Sequence, residues 1–197
     1  MKKEIKDWIH AQGISFLAKA GIRDGYHVLD FGCKNGNYTI PVAMAVGKTG
    51  IVYALDKNNE RLDKLMERAK TEGLENIRRI DTSGEVKIPL KDKTVDAVLL
   101  YDVIHLVGRN NSSTVNDRKR LYEEVYRVAK DGAFISVYPT HLTTHTDISS
   151  TEEVKEELTK YFKFERELSV RLVHDDNFIY DKVLNFRKII KVIKCRG

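Results

Sequence analysis

Three aspartates, each closing a short apolar run, are the residues of this 197-residue sequence best placed to do chemistry. Asp30 lies within Val28-Leu29-Asp30-Phe31-Gly32-Cys33-Lys34-Asn35-Gly36-Asn37. There a buried strand ends and a glycine-punctuated turn leads toward a helix. Gly32 and Gly36 let backbone approach a ligand with no Cβ in the way. A helix beginning after the turn offers free N–H groups and a positive dipole end, with Pro41 near its first turn, where a missing N–H costs least. Asp56 closes Ile51–Asp56 about twenty residues past Gly36, the distance at which a carboxylate takes ribose hydroxyls in nucleotide-binding sheets. Asp81 closes Ile77–Asp81 and could accept from an adenine amino group. Each aspartate also has a plainer reading, as a cap or turn residue. Together, three at successive strand ends converge on one edge of a sheet, the usual ligand crevice of doubly wound folds.

The spacing selects among ligands. A dinucleotide fingerprint needs G-x-G-x-x-G, whereas the glycines here are four apart with Lys34 between them. A carboxylate just before the turn repels a pyrophosphate and attracts a cationic amino acid. S-adenosylmethionine carries an ammonium, a sulfonium and no phosphate, so an acidic turn suits it. A plain strand-to-helix turn with Asp30 capping backbone is the competing reading.

Base candidates are His105, which follows the run Val95–Tyr101, and His141 and His145 in the loop after Ala133–Tyr138. Each could equally be a loop histidine bonded to solvent or backbone. His141 and His145 stand four apart, a metal-pair spacing only on a helix; in a Thr-rich loop no metal site is expected.

The elements that must position these residues alternate. Strand candidates are His27–Phe31, Ile51–Asp56, Ile77–Asp81, Val95–Tyr101 and Ala133–Tyr138. Between them Leu62, Leu65, Met66 and Ala69 form one helical stripe, and Leu121, Val125 and Val128 another. Val154, Leu158, Tyr161 and Phe162 form a third, with Ser150 and Glu153 in capping-box spacing. The chain end differs: alternation over Phe162–Val173, the turn composition His174-Asp175-Asp176-Asn177 and a second run, Phe178–Arg187, predict an antiparallel hairpin. The expected fold is α/β: a Rossmann-like doubly wound seven-stranded sheet, five βα units, mostly parallel with a C-terminal antiparallel hairpin. It forms one domain, with a helical cap over 1–20, a core over 21–138, and a loop, helix and hairpin over 139–197. Gly13 is expected to split the cap, where Trp8 is either a lid aromatic or core packing.

Composition is that of an ordinary globular chain: 42% hydrophobic, 32% charged, 3 Pro. Disorder, collagen and coiled coil are poor readings. Cys33 and Cys195 make no spaced cluster, which argues against zinc sites and disulfide frameworks and fits a reducing cytoplasm. No apolar run approaches the ~20 residues that span a bilayer. The start, MKKEIKDWIH, lacks a signal-peptide core. Net charge is +5. Lys182, Arg187, Lys188, Lys191, Lys194 and Arg196 form a basic tail, read either as a solvated edge strand and frayed end or as a contact for phosphates or an anionic membrane surface.

The segment GIRDGYHVLDFGCKNGNYTIPVAMAVGKTGIVYALDKN resembles the cofactor-binding half of class I S-adenosylmethionine-dependent methyltransferases. It is most similar to the ubiquinone/menaquinone-biosynthesis and arsenite methyltransferase-like group. The turn Lys130-Asp131-Gly132 and the terminal hairpin match the same architecture. The resemblance implies that Asp30, Gly32, Cys33 and Gly36 line the methionine end of the cofactor and that Asp56, with Lys57 beside it, holds the ribose. It places Asp81 and Thr82 at the adenine, and Tyr101 and Asp102 at the methionine portion and the substrate. It implies methyl transfer, in which His105 or His141 could act as base. One departure stands out: the family's central glycine is Lys34 here, which either contacts the cofactor's carboxylate or obstructs the site. The short inserts, Gly108–Asn116 and Pro139–Ser149, favour a small-molecule acceptor, and the absence of a proline-rich motif at Asp102-Val103-Ile104-His105 disfavours nucleic acid. The alternatives are a non-catalytic binding module, an RNA methyltransferase and a nicotinamide-dependent oxidoreductase.

Overall fold

The computed structural model describes residues 2–107, 113–174 and 176–189. Seven strands form one sheet: β1 (His27–Phe31), β2 (Ile51–Asp56), β3 (Ile77–Asp81), β4 (Val95–Tyr101), β5 (Ala129–Tyr138), β6 (Lys163–His174) and β7 (Asn177–Arg187). Their spatial order is β3-β2-β1-β4-β5-β7-β6. The first five strands run parallel, and β7 runs antiparallel to both β5 and β6. The strand order reverses direction between β1 and β4, which opens a crevice beyond their C-terminal ends.

Residues of alternate parity point to opposite faces. On one face Val28, Val52, Ala97 and Leu99 meet Trp8, Leu17, Ile40, Val42, Leu62 and Leu65. These come from helices α1 (Lys3–Trp8), α2 (Ile14–Ala20), α3 (Thr39–Val46) and α4 (Asn59–Thr71). On the other face Leu29, Val98, Leu100 and Ile135 meet Leu121, Val125, Val154 and Leu158. These belong to α5 (Val115–Val128) and α7 (Thr151–Thr159), and a short α6 (Leu142–His145) precedes α7. α4 starts on an Asn58 side-chain cap, α5 on a Thr114–Asp117 capping box and α7 on a Ser150 cap. No helix among the described residues is long and apolar enough to cross a membrane.

The structure corrects or decides five expectations. Gly13 does not split the cap: a π turn over Ile9–Gly13 joins α1 to α2 without a break. Gly is required there because a Cβ would come within 2.9 Å of the Trp8 ring. Trp8 is buried and packs edge-on against Tyr38, so it is core and not a lid. The turn Lys130-Asp131-Gly132 lies inside the β5 ladder as an irregularity: pairing jumps from Val95↔Ala129 to Ala97↔Phe134, with Gly132 at φ 79°. β7 is interior, not an edge, and its cations are taken up within the fold. Lys182 pairs with Glu167 and Arg187 with Glu165. Lys188 is buried and donates to the carbonyls of Tyr126 and Ala129. The rest of the basic tail, Lys191, Lys194 and Arg196, lies outside the described residues, as does 108–112 of the Gly108–Asn116 insert.

The last of these concerns the βα count. β3 is not followed by a helix. The connection over 82–94 crosses the sheet as irregular chain, burying Ile88 with Val86 and Leu90 half-buried beside it. Its backbone groups still need partners. Arg127 supplies them, donating to the carbonyls of Ile88 and Leu90 and to Asp92 and Glu124, while Glu124 accepts from Ile88 N–H. Arg127→Ala removes these bonds together. It should destabilise the protein by about 2 kcal/mol and expose 82–94 to limited proteolysis, as read by urea unfolding and peptide mapping.

Candidate active site

The strand ends put the chemistry in one place. The β1–α3 turn folds over the tip of β2, with Gly32 and Cys33 N–H donating to Leu55 O. Gly32 and Gly36 have φ near +80°, the left-handed region. A Cβ on Gly32 would come within 2.5 Å of Val103, and one on Gly36 would run into Leu65. The turn is thus a close cradle that no other residue type fits.

Two cavities meet at this turn and share Gly32, Lys34, Arg61 and Asp102. The first, ≈ 620 Å³, is largely apolar and includes Leu55, Asp56, Lys57, Thr82, Val103 and Leu106. The second, ≈ 660 Å³, includes Asp30, Cys33, Asn37, Tyr101 and His174. Asp30 is buried and accepts from Thr39 Oγ1 at 2.6 Å. Burial, opposed by the Thr39 bond and reinforced by the negative charge of Asp56, pushes its carboxyl up to about 7. Burial and the charges of Asp30 and Asp56 likewise push the Cys33 thiol far up, so it stays a neutral lining group.

Asp56 is a splint between two elements. Its Oδ2 accepts from Lys34 N–H and its Oδ1 from Asn58 N–H, both at 2.9 Å. Asn58, not Asp56, caps α4. Each Asp56 oxygen has a second lone pair to offer the first cavity. Lys34 adopts φ 49° and lines both cavities; its ammonium bonds Asp102 Oδ2. It stands between the cavities, held to one side by Asp102. Tyr101 lines the second cavity, but its hydroxyl is tied to Ser136 Oγ, which bonds Asn185 Oδ1, in a buried chain across β4, β5 and β7.

Asp81 is not among the lining residues. Its exposed carboxylate is held by the Arg79 guanidinium two residues away, which keeps it below the usual carboxylate range. Its neighbour Thr82 does line the first cavity. His105 is buried, lines neither cavity, and has Nδ1 3.8 Å from Asp102 Oδ1. His141 sits at φ 53° just outside the second cavity, with its ring 5.0 Å from His105 and Nε2 2.9 Å from His174 Nε2. The His145 backbone lies in α6; its side chain lies outside the described residues.

Sequence reasoning treated His174 as part of a turn and missed its place in the site. Tyr38 brings it there: the Tyr38 hydroxyl donates to Val173 O and accepts from Val173 N–H, pinning the end of β6 over the glycine turn. Arg118 was also missed. It is buried, bonds Asp147, Glu157 and Ser113 O, and ties the segment after β5 to α5 and α7. The only local signal for either residue was a polar side chain next to an apolar stripe.

A model of the family described as "Methyltransferase domain" matches residues 22–186. Among curated relatives, a demethylmenaquinone methyltransferase of Anoxybacillus flavithermus is 30% identical over 128 residues, 65% of this chain and 50% of that protein. A ubiquinone/menaquinone biosynthesis C-methyltransferase of Pseudoalteromonas translucida is 28% identical over 134 residues, 68% of this chain and 50% of its own. The chain spans about half the length of these relatives. The crystal structure of an S-adenosylmethionine-dependent methyltransferase from Aquifex aeolicus superposes with a TM-score of 0.73 at 24% identity, covering 95% of this chain and 98% of that one. That likeness speaks to the fold.

Asp30 makes a prediction about stability. Its folded pKa, about 7, lies above its unfolded value near 3.8. Between these values the folded state holds a proton that the unfolded state has lost, so stability falls as pH rises from about 4 to 7 and stays lower above that. Asp30→Asn, which cannot ionise, should be more stable than the parent at pH 8 by roughly 2–4 kcal/mol, with a much smaller gap at pH 4. Urea unfolding at the two pH values measures the difference.

Proposed function

The chain belongs to the methyltransferase-domain family, and from that premise we propose that it transfers a methyl group from S-adenosylmethionine to a small-molecule acceptor. The observation that carries this reading is the glycine cradle, closed to any Cβ and set among the carboxylates Asp30, Asp56 and Asp102. Its geometry fits the cofactor's parts. The apolar first cavity, with Asp56 on its wall and Thr82 beside it, suits a nucleoside whose hydroxyls donate to the carboxylate. The polar second cavity, with Asp30 and Asp102, suits an amino-acid end bearing positive charge. The Lys34 ammonium, bonded to Asp102 at their junction, offers a partner for that end's carboxylate, which supports contact over obstruction at the position where the family has glycine.

When bound, S-adenosylmethionine supplies an activated methyl group on a sulfonium, ready for in-line displacement. The chain's own contribution is orientation, and well-positioned reactants gain roughly 7–11 kcal/mol over the bimolecular reaction. Asp56 and its backbone partners fix the nucleoside end. Asp30, ionised above pH of about 7, favours a cation in the second cavity, so cofactor affinity should rise with pH through that point. Buried and away from both cavities, His105 acts on Asp102 rather than on an acceptor. The names of the curated relatives support an acceptor of small-molecule size.

Calorimetric titration with S-adenosylmethionine and its demethylated product tests the reading; no heat of binding at millimolar ligand refutes it. Asp56→Asn, which keeps only one of the two acceptors its backbone partners use, should weaken binding roughly tenfold to hundredfold and lower stability by about 1–3 kcal/mol, leaving the protein folded for the titration. Unchanged affinity removes Asp56 from the nucleoside site.

A further inference from the structure

Three side chains from three separate parts of the chain meet at the rim of the second cavity: Asp102 after β4, His141 after β5 and His174 at the end of β6. One ligand atom from each lies within 4.8 Å of those of the other two. We propose that they form a binding site for a divalent transition-metal ion such as zinc or cobalt.

His174 stands between the other two, with Nδ1 3.2 Å from Asp102 Oδ2 and Nε2 2.9 Å from His141 Nε2. Bonds of about 2.0–2.1 Å to one ion place neighbouring ligand atoms about 3.0–3.4 Å apart in octahedral or tetrahedral geometry. The 2.9 Å between the two Nε2 atoms matches such an edge; the Asp102 contact is to the other nitrogen of His174, so closing on an ion requires side-chain rotations that draw in one ligand atom from each residue, atoms that already lie within 4.8 Å of one another. Asp102 brings the second observation. It is more than nine-tenths buried, and its Oδ1 accepts no hydrogen bond among the described residues, although Oδ2 is taken by Lys34. Both Asp102 and His141 hold φ 53°, a conformation that costs a non-glycine residue about 1 kcal/mol or more and that here turns two ligands toward the third. His105, with Nδ1 3.8 Å from Asp102 and its ring 5.0 Å from that of His141, backs the cluster from the buried side.

Two imidazoles and one carboxylate suit zinc, cobalt, nickel or ferrous iron rather than magnesium or calcium. Three protein ligands leave coordination places open, as in catalytic rather than structural sites. Because Asp102 and His174 also line the second cavity, an open place faces it and would take an anionic oxygen or sulfur of a small acceptor. That last role rests on the methyl-transfer reading; the metal site itself does not.

The test uses tag-free full-length protein stripped with a chelator and titrated with cobalt(II) and with zinc(II). Calorimetry and the visible absorption of bound cobalt are the readouts, and S-adenosylmethionine binding is titrated in parallel. The expected result is one ion per chain, with cobalt bands of low-symmetry nitrogen–oxygen coordination. His141→Ala, at an exposed position, and His174→Ala should each weaken metal affinity about 100-fold or more, with circular dichroism showing that the fold is kept. Absence of metal binding, or equal affinity in the parent and both variants, overturns the site. No metal with S-adenosylmethionine still bound removes this inference and leaves the methyl-transfer reading standing. Metal bound without any affinity for S-adenosylmethionine does the reverse.

Discussion

A carboxylate moved from water into a protein interior forfeits several kcal/mol of hydration, and it stays charged only where the surroundings replace that hydration. This protein places Asp30, Asp56 and Asp102 at buried strand ends, and much of the local architecture consists of answers to them. Asp56 is satisfied by two backbone N–H groups, one on each side of the crevice, so its charge doubles as a tie between the glycine turn and the start of α4. Asp102 is met by the ammonium of Lys34. Asp30 has a single hydroxyl partner and is left close to half-neutral. That graded treatment makes the crevice receptive to positive charge without holding three naked anions.

The hairpin and the loop after β5 are held to this crevice by few contacts, each specific. Tyr38 closes two bonds with one residue of β6 and packs edge-on against both Trp8 and Tyr101. The same ring therefore belongs to the core, the glycine turn and the hairpin. Arg118 works similarly on the opposite face: a buried guanidinium bridging two carboxylates and a carbonyl fixes the route of the chain between β5 and α7. A buried charge of this kind does little for net stability, but loss of either side leaves the other unanswered, which keeps the geometry single.

The sheet was legible in the sequence because its signals are local. β1 to β4 fall on short runs with an aspartate at or beside the C-terminal end, and β6 shows period-two alternation. The Asp30, Asp56 and Lys34 positions followed from the same runs. What escaped is what depends on partners far along the chain. Gly13 looked like a break, yet it is the space that the Trp8 ring needs. The 82–94 connection carries too little periodicity to name its structure, and its order comes from Arg127 on a distant helix. Asp81 ends its strand level with Asp56 on the neighbouring strand, but Arg79 two residues earlier claims it and it lies exposed at the sheet edge. His174 is 33 residues from His141 in sequence and 2.9 Å away in space. No spacing rule spans such a pair, because strand pairing and the Tyr38 anchor create it.

The interior position of β7 has a consequence for how the molecule is made. β5 cannot gain its outer neighbour, nor β6 any neighbour at all, until the chain through Arg187 has left the ribosome and inserted between them. Up to that moment the nascent protein carries an open edge on β5, the kind of surface that recruits other chains. Assembly of the last three strands therefore waits on synthesis of the final strand, and the rim of the crevice comes into being in the same step that removes the exposed edge.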